Sequence, residues 1–558
     1  MKKLSFFHKG ESRGMEFFSQ NTRLDEIFFF AFLITIGFFC AVLSLRLFQL
    51  TIVKGEYYRN LSENNRIKNF SIEAKRGEIL DRKGYVMVKN LDPNIKNSLD
   101  EIRKNNDRII SKRIYETPEE IAPVVGYRQQ ADENDLKQDN CIYKLKSGDD
   151  IGKKGVEKLF DCQLRGQPGQ KLIETDARGN FLKTLTIIPP TAGENIQLAL
   201  DWNLQKKAYE LLKDLPAGRQ VKRGAIIVNN PKTGEILALV SSPSFNSQAF
   251  ENKNNQSVEK YFSNPDKPIF NRATEGVYPP GSLFKLITAA AALEEKVIDE
   301  KTQVEDKGMI TAGSLTFGNW YYLQYGKTEG MVDIVKAIRR SNDIFFYTVG
   351  EKTGVDKIKK WAEIFGYGKK TNIGLDESEG IIPSTFWKEE TLKDRWYTGD
   401  TYNFSIGQGY IGVTPLQTLM VTSVFANNGY LCQPKLLKVG TIYGLSLQGK
   451  SECKKLPVSQ KTIDLIREGM KQACSAGGTG WPLFDFTANA KKIQTACKTG
   501  TAESHAASGL PHAWITVFAP FDKPEIALTV LVEEGGQGSD IAGPIAKELL
   551  KTYFERSK

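Results

Sequence analysis

Histidine is scarce: His8, His505 and His512 are the only three in 558 residues. A mechanism built on imidazole has few candidates here, which turns attention to lysine as a general base. The seven cysteines, Cys40, Cys141, Cys162, Cys432, Cys453, Cys474 and Cys497, are scattered, and no two form a CxxC pair. That spacing predicts neither a disulfide framework nor a zinc site. Pairing outside the cytoplasm stays open, but an odd count leaves at least one thiol free. No recognition helix, zinc spacing or aromatic–basic repeat is present, so nucleic acid is not an expected partner. Internal repeats are lacking too, and residues 27–45 form a long, strongly apolar run free of charge.

What is present reads as a folded, anchored protein. Hydrophobic content of 40% with 25% charged residues is that of a globular chain. A net charge of +10 is modestly basic and suits an anionic membrane or wall surface. The run IFFFAFLITIGFFCAVLSL would span ~28 Å as a helix, about one bilayer core. It is too long and too far from the start for an ordinary signal peptide. Phe38 and Phe39 are too bulky for a lipoprotein site at Cys40. The expected organisation is a cytoplasmic tail (1–26), a single-pass anchor (27–45), an elongated pedestal with a short head (46–200) and a catalytic domain outside the cytoplasm (201–558). In the pedestal, 74–84 reads as a strand ending in a turn, and the charge-rich 90–140 as short helices. Beyond 200 come a helix at Trp202, a hairpin around Pro231–Gly234, several helices, a three-strand meander from 493 to 532 and a closing helix. This order predicts an α+β fold, an antiparallel sheet sandwiched by helices.

Three short stretches carry the chemistry. The first is Tyr278-Pro279-Pro280-Gly281-Ser282-Leu283-Phe284-Lys285, opening a helix that is apolar apart from Lys285 and Thr288. Ser282 is expected at the N-cap or first turn, and one turn brings Lys285 to the same face. Burial disfavours the ammonium, and a neutral amine can take the serine's proton. The bland alternative is a helix start with a lysine snorkelling to solvent. The second stretch, Arg340-Ser341-Asn342-Asp343, sets a hydroxyl and a carboxylate at a helix start. Both could be capping residues. The third, Cys497-Lys498-Thr499-Gly500-Thr501-Ala502-Glu503, ends a strand with a cation, hydroxyls and bare backbone. Gly500 is expected to let a substrate approach that strand. His512 reads as a structural histidine.

SxxK, SxD and KTG in this order resemble the penicillin-recognising serine transferases and hydrolases. KRGEILDRKG (75–84), GKKGVEKLFDCQLRGQPG (152–169), NRATEGVYPPGS (271–282) and SIGQGYIGVTPLQ (405–417) are similar to class B penicillin-binding proteins. Within that class the likeness is to the elongation-type penicillin-binding protein 2, in which Asp also occurs where most members have Asn. The resemblance implies the penicillin-binding transpeptidase fold and a membrane-anchored peptidoglycan D,D-transpeptidase with no cofactor or metal. Its substrate would be a D-Ala-D-Ala stem peptide, with β-lactams as covalent mimics. It further implies Ser282 as nucleophile, Lys285 as base, Ser341 as proton relay and Lys498 as the cation setting the local potential. Asp343, Thr499, Gly500 and Thr501 would bind substrate. A multi-pass glycosyltransferase of the elongation machinery is the implied partner. A carboxypeptidase or β-lactamase of the same fold, and a non-enzymatic scaffold, are the alternatives.

Overall fold

The computed structural model describes residues 22–91, 108–176, 178–214, 223–438, 453–504 and 508–555. Expectations for most of the tail, for 92–107, and for His8 and His505 fall outside these. Contacts divide the chain into two compact units, 1–71 with 170–188, and 72–169 with 189–558.

The first unit begins with α1 (Thr22–Phe48), a π-helical turn Gln49–Val53, and α2 (Gly55–Arg66). Glu26–Val53 is the one described helical stretch long and apolar enough to cross a membrane. It buries none of its apolar surface against protein, as a helix solvated by lipid should not. Strands β1 (Ile67–Ile72), β2 (Gly169–Thr175) and β3 (Phe181–Ile188) follow, β2 and β3 pairing antiparallel from Gln170↔Ile188 to Thr175↔Phe181.

In the second unit, the charge-rich region is not simply helical. Strands Lys112–Tyr115 and Tyr127–Gln130 alternate with short helices Ala122–Val125 and Glu133–Gln138. Its charges mislead because several are internal. Arg113 is fully buried and Arg128 nearly so. Glu157 receives Arg76 at 2.7 Å and Arg113 at 2.8 Å, Asp161 takes Arg76 at 2.7 Å, and Arg128 bridges Glu73 and Glu251. Burial alone would raise the Glu157 carboxyl, but Arg113 and Arg76 hold it down to about 2. Such a cluster depends on its hydrogen bonds, and here Arg113 Nη2 is the cluster nitrogen left buried without a partner among the described residues.

The cysteines also depart from expectation. Cys141–Cys162, Cys432–Cys453 and Cys474–Cys497 are disulfides, leaving Cys40 free. The partners lie 21, 21 and 23 residues apart, and the fold rather than any local spacing motif brings them together.

The site is carried by a five-stranded antiparallel sheet. Its elements are α3 (Trp202–Lys213), β4 (Gly224–Asn229), β5 (Ile236–Ser242), α4 (Lys285–Glu294), α5 (Ile334–Arg340), α6 (Asp343–Thr353), α7 (Pro415–Ala426), α8 (Gln460–Ala473), β6 (Ala496–Ala502), β7 (His512–Ala519), β8 (Ile526–Val532) and α9 (Gly538–Phe554). The strand order is β5-β4-β8-β7-β6, with Gly224 opposite both Ser242 and Val532, and Lys498 opposite Thr516. Strand alternation splits the core. Ile226, Val228 and Val530 pack with Leu204, Leu549 and Leu550 on one face, and Ala225 and Ile227 with the helices around α4 and α7 on the other. Helices therefore cover both faces, as expected. The KTG strand, β6, is left at the edge.

Candidate active site

Ser282 does not cap a helix. Gly281–Leu283 form a single 3-10 turn, and the α-helix proper starts at Lys285. Gly281 has φ +55°, and a Cβ there would meet the Thr501 carbonyl at 2.9 Å. Its N–H donates to the carbonyl of Gly407 at 2.9 Å. The nucleophile turn is thus pinned between β6 and the SIGQG segment, and the half-buried Ser282 opens on a cleft of about 610 Å³. The same cleft is bordered by Ser341, Asp343, Thr499 and Thr501.

Below Ser282, α4 is buried from Lys285 to Ala292. The Lys285 ammonium donates to Asp343 Oδ1 at 2.6 Å and to the Ser341 carbonyl at 2.8 Å, and lies 3.4 Å from Ser341 Oγ. No snorkelling occurs. Lys498, equally buried, donates to Ser341 Oγ at 2.8 Å and to its neighbour's carbonyl, Thr499 O, at 2.9 Å. Ser341 Oγ thus accepts from Lys498 with Lys285 close by, which leaves its own proton free to point into the cleft.

Electrostatics follow from this packing. Burial lowers the Lys285 pKa, opposed by the Asp343 charge and hydrogen bond. Lys498 is driven well below its ordinary value by burial and then by repulsion from Lys285, with Asp343 again opposing. Two buried amines share one carboxylate. The site holds one positive charge at lower free energy than two, so a proton can leave either amine readily.

Ser341 caps the end of α5 in the left-handed region, φ +53°, and Asn342 caps α6 by accepting from the Phe345 N–H. Asp343 uses both oxygens: Oδ2 accepts from the Trp320 N–H at 2.9 Å, while its own N–H donates to Asn319. Behind them, Asp306 Oδ2 accepts from the side chains of Asn319 and Asn342 at 2.7 and 2.8 Å. Sequence reasoning missed this clamp of Asp306, Asn319 and Trp320. It also missed Thr479, whose hydroxyl accepts from Thr499 at 2.8 Å. The glycine-rich run 477–480 before Trp481 is the available signal for that cleft loop. The Cys474–Cys497 disulfide fastens the end of α8 to β6 one residue from Lys498.

Packing is close at Gly500. A Cβ there would sit 3.1 Å from Leu283 Cγ, the Pro280 carbonyl and Trp514 Cβ. Its bareness lets the nucleophile turn close against the sheet. His512 is structural: Nδ1 accepts from the Glu534 N–H at 3.1 Å, and burial lowers its pKa.

A cleft with a hydroxyl over two buried amines at a sheet edge agrees with the comparisons. Residues 93–198 match the Penicillin-binding Protein dimerisation domain, and 224–551 the Penicillin binding protein transpeptidase domain. Peptidoglycan D,D-transpeptidase MrdA of Haemophilus influenzae is 30% identical, over 92% of this chain and 89% of that one. The structure of Pseudomonas aeruginosa PBP2 in complex with WCK 5153 is similar at TM-score 0.71 and 30% identity, covering 87% of this chain and 96% of that one. A chain in a peptidoglycan synthase complex, described as coordinating polymerization and crosslinking, is similar at TM-score 0.73 and 27% identity, over 96% of this chain and 99% of that one. The transpeptidase match takes in Ser282, Ser341 and Lys498 alike and more than half of the residues, and by it the chain belongs to the penicillin-binding protein transpeptidase family.

Proposed function

We propose that the chain is a membrane-anchored peptidoglycan D,D-transpeptidase that cross-links stem peptides through a serine acyl-enzyme during wall elongation. The observation carrying this reading is the buried Lys285–Asp343–Ser341–Lys498 network beneath Ser282. Ser282 Oγ attacks the carbonyl of a D-Ala-D-Ala donor while Lys285, whose ammonium form burial disfavours, takes its proton. The C–N bond breaks, and the leaving D-alanine nitrogen receives a proton through Ser341, whose hydroxyl faces the cleft. The backbone N–H groups of Ser282 and Thr501 hold the oxyanion. Lys498 sets the potential and, with Thr499 and Thr501, holds the donor's terminal carboxylate. Asp343 positions Lys285. An amine from a second stem peptide then resolves the ester. β-Lactams, as mimics of the donor, acylate Ser282.

The domain reading that goes with this is tail 1–26, anchor 27–45, pedestal 46–200 and transpeptidase 201–558, with the last two outside the cytoplasm. The disulfides Cys141–Cys162, Cys432–Cys453 and Cys474–Cys497 support that orientation, because such bonds persist in oxidising compartments. A multi-pass glycosyltransferase is the proposed partner, supported by the likeness to a complex that couples polymerization with crosslinking. The test is intact mass after benzylpenicillin treatment. One covalent adduct, mapped to the peptide containing Ser282 and lost in Ser282→Ala, is expected. Labelling of Ser282→Ala at the wild-type rate refutes the assignment.

A further inference from the structure

Tyr347 lies one helical turn beyond Asp343 on α6, and the steps above make no use of it. Its ring is fixed by stacking on Tyr402 at 5.3 Å and by Phe317 meeting it edge-on at 5.7 Å. Tyr402 is itself held by donating to Glu351 at 2.8 Å. Only 5% of Tyr347 is exposed, yet it borders the cleft that holds Ser282. Among the described residues its hydroxyl has no hydrogen-bond partner. The ring is buried and rigid while its unpartnered hydroxyl opens on the cleft, which suits it to a ligand atom.

The surroundings identify that atom's chemistry. Burial, and then the carboxylates of Asp343 and Glu503, raise the Tyr347 pKa, so the phenol stays neutral and can both donate and accept. Asp343 is already committed to Lys285 and Trp320. Glu503, at the end of β6, forms no ion pair with any described residue, and its N–H meets Gln408 at 3.3 Å. Asp343 is offset by the buried Lys285 and Lys498 behind it, which leaves Glu503 and Asp540 as the lining carboxylates without an ion pair among the described residues. A wall of this sign attracts a cation.

We propose that Tyr347 and Glu503 form the subsite that receives the acceptor amine, a primary ammonium on the second stem peptide. This rests on the transpeptidase reading above. The ammonium gives one proton to the Glu503 carboxylate, and the resulting amine donates an N–H to the Tyr347 hydroxyl oxygen, which leaves its lone pair free. The nitrogen then attacks the acyl carbon. A C–N bond forms, the C–Oγ bond to Ser282 breaks, and the second proton passes from nitrogen to Ser282 Oγ. Tyr347 and Glu503 serve this second half-reaction only.

The experiment uses the full chain in detergent, a thioester donor of the acyl-D-alanyl type, and two amine probes: D-alanine and an uncross-linked stem peptide with a diamino third residue. The ratio of amine product to hydrolysis is read against amine concentration, alongside the rate of acylation by benzylpenicillin. Tyr347→Phe, which removes one oxygen and keeps the ring, is expected to lower that ratio roughly fivefold to tenfold, the scale of one lost hydrogen bond. Acylation by penicillin, which needs no acceptor, moves less than about twofold. Glu503→Gln raises the apparent KM for the amine. An unchanged ratio, an equal fall in penicillin acylation, or no amine product in the wild type overturns the proposal. Failure of the wild type to take up penicillin at all refutes the transpeptidase reading instead.

Discussion

Replacing Asp343 separates its charge from its shape. Its two oxygens serve two donors, Lys285 Nζ at 2.6 Å and the Trp320 N–H at 2.9 Å. An amide keeps only one acceptor. In Asp343→Asn the amide oxygen can still take the Trp320 N–H, but its NH2 then faces Lys285, and that contact is favourable only when the lysine is neutral and offers a lone pair. The lost bond to a charged group is worth about 1.5–3 kcal/mol, all of it in favour of the neutral amine. Asp343 is the group opposing the downward shift of Lys285, so its removal lowers that pKa further. A base that deprotonates more easily moves the acid limb of the acylation profile to lower pH. At neutral pH the rate should stay within about tenfold, ~1.4 kcal/mol in the barrier. Asp343→Ala removes both acceptors. It strands the Trp320 N–H, releases Lys285, and should cost at least about a hundredfold, ~2.7 kcal/mol. The assay is the second-order rate constant for benzylpenicillin acylation from acid to alkaline pH in both variants. A loss in Asp343→Asn as deep as in Asp343→Ala, or an acid limb that does not move, refutes the positioning role.

Two further outcomes follow from the packing. Glu157→Gln leaves Arg113 buried without a carboxylate and Arg76 with Asp161 alone, and should destabilise the protein by roughly 3–5 kcal/mol at neutral pH. Because the folded pKa of Glu157, about 2, lies below the ordinary 4.5, its contribution is present above pH 4.5 and is lost as pH falls through about 2. The gap between variant and wild type in denaturant unfolding should therefore close over that interval, and a gap constant to low pH contradicts the account. Cutting the Cys474–Cys497 link by Cys474→Ser frees the loop bearing Thr479 from the strand bearing Thr499. Penicillin acylation should fall, along with a lower melting temperature from the lost cross-link, and a variant acylated at the wild-type rate below that temperature would show the link to be irrelevant to the site.

The groups that meet around the cleft were legible because each sits in a short contiguous run at the end of an element. Ser282 sits in the short turn that leads into the helix opened by Lys285, Ser341 and Asp343 flank a cap, and Lys498 to Thr501 end a strand. The supporting shell was not legible, because its partners are distant in sequence. Asp306 reaches Asn319 and Asn342 across 13 and 36 residues, and nothing in the local pattern marks it. The strands between 108 and 130 were hidden for a related reason. Buried Arg113 and Arg128 read as surface charge until Glu157, Glu73 and Glu251 are seen to neutralise them. Gly500 was assigned to the right strand, but its packing against Leu283, Pro280 and Trp514 was not foreseen, since what a strand residue meets depends on what packs there.

The left-handed backbone at Ser341 narrows the mutational paths open to this enzyme. Threonine keeps the hydroxyl, but its β-branch is disfavoured at positive φ. Glycine and asparagine accept the backbone easily, yet neither offers Lys498 a hydroxyl oxygen. Serine alone meets both demands at modest strain. Under the proposed function, variants that escape a β-lactam while preserving cross-linking cannot arise by drift at this position. Exposed residues on the rim of the cleft, such as Tyr325 and Trp481, lie outside that constraint. Geometry at one residue thereby sets where adaptation can occur.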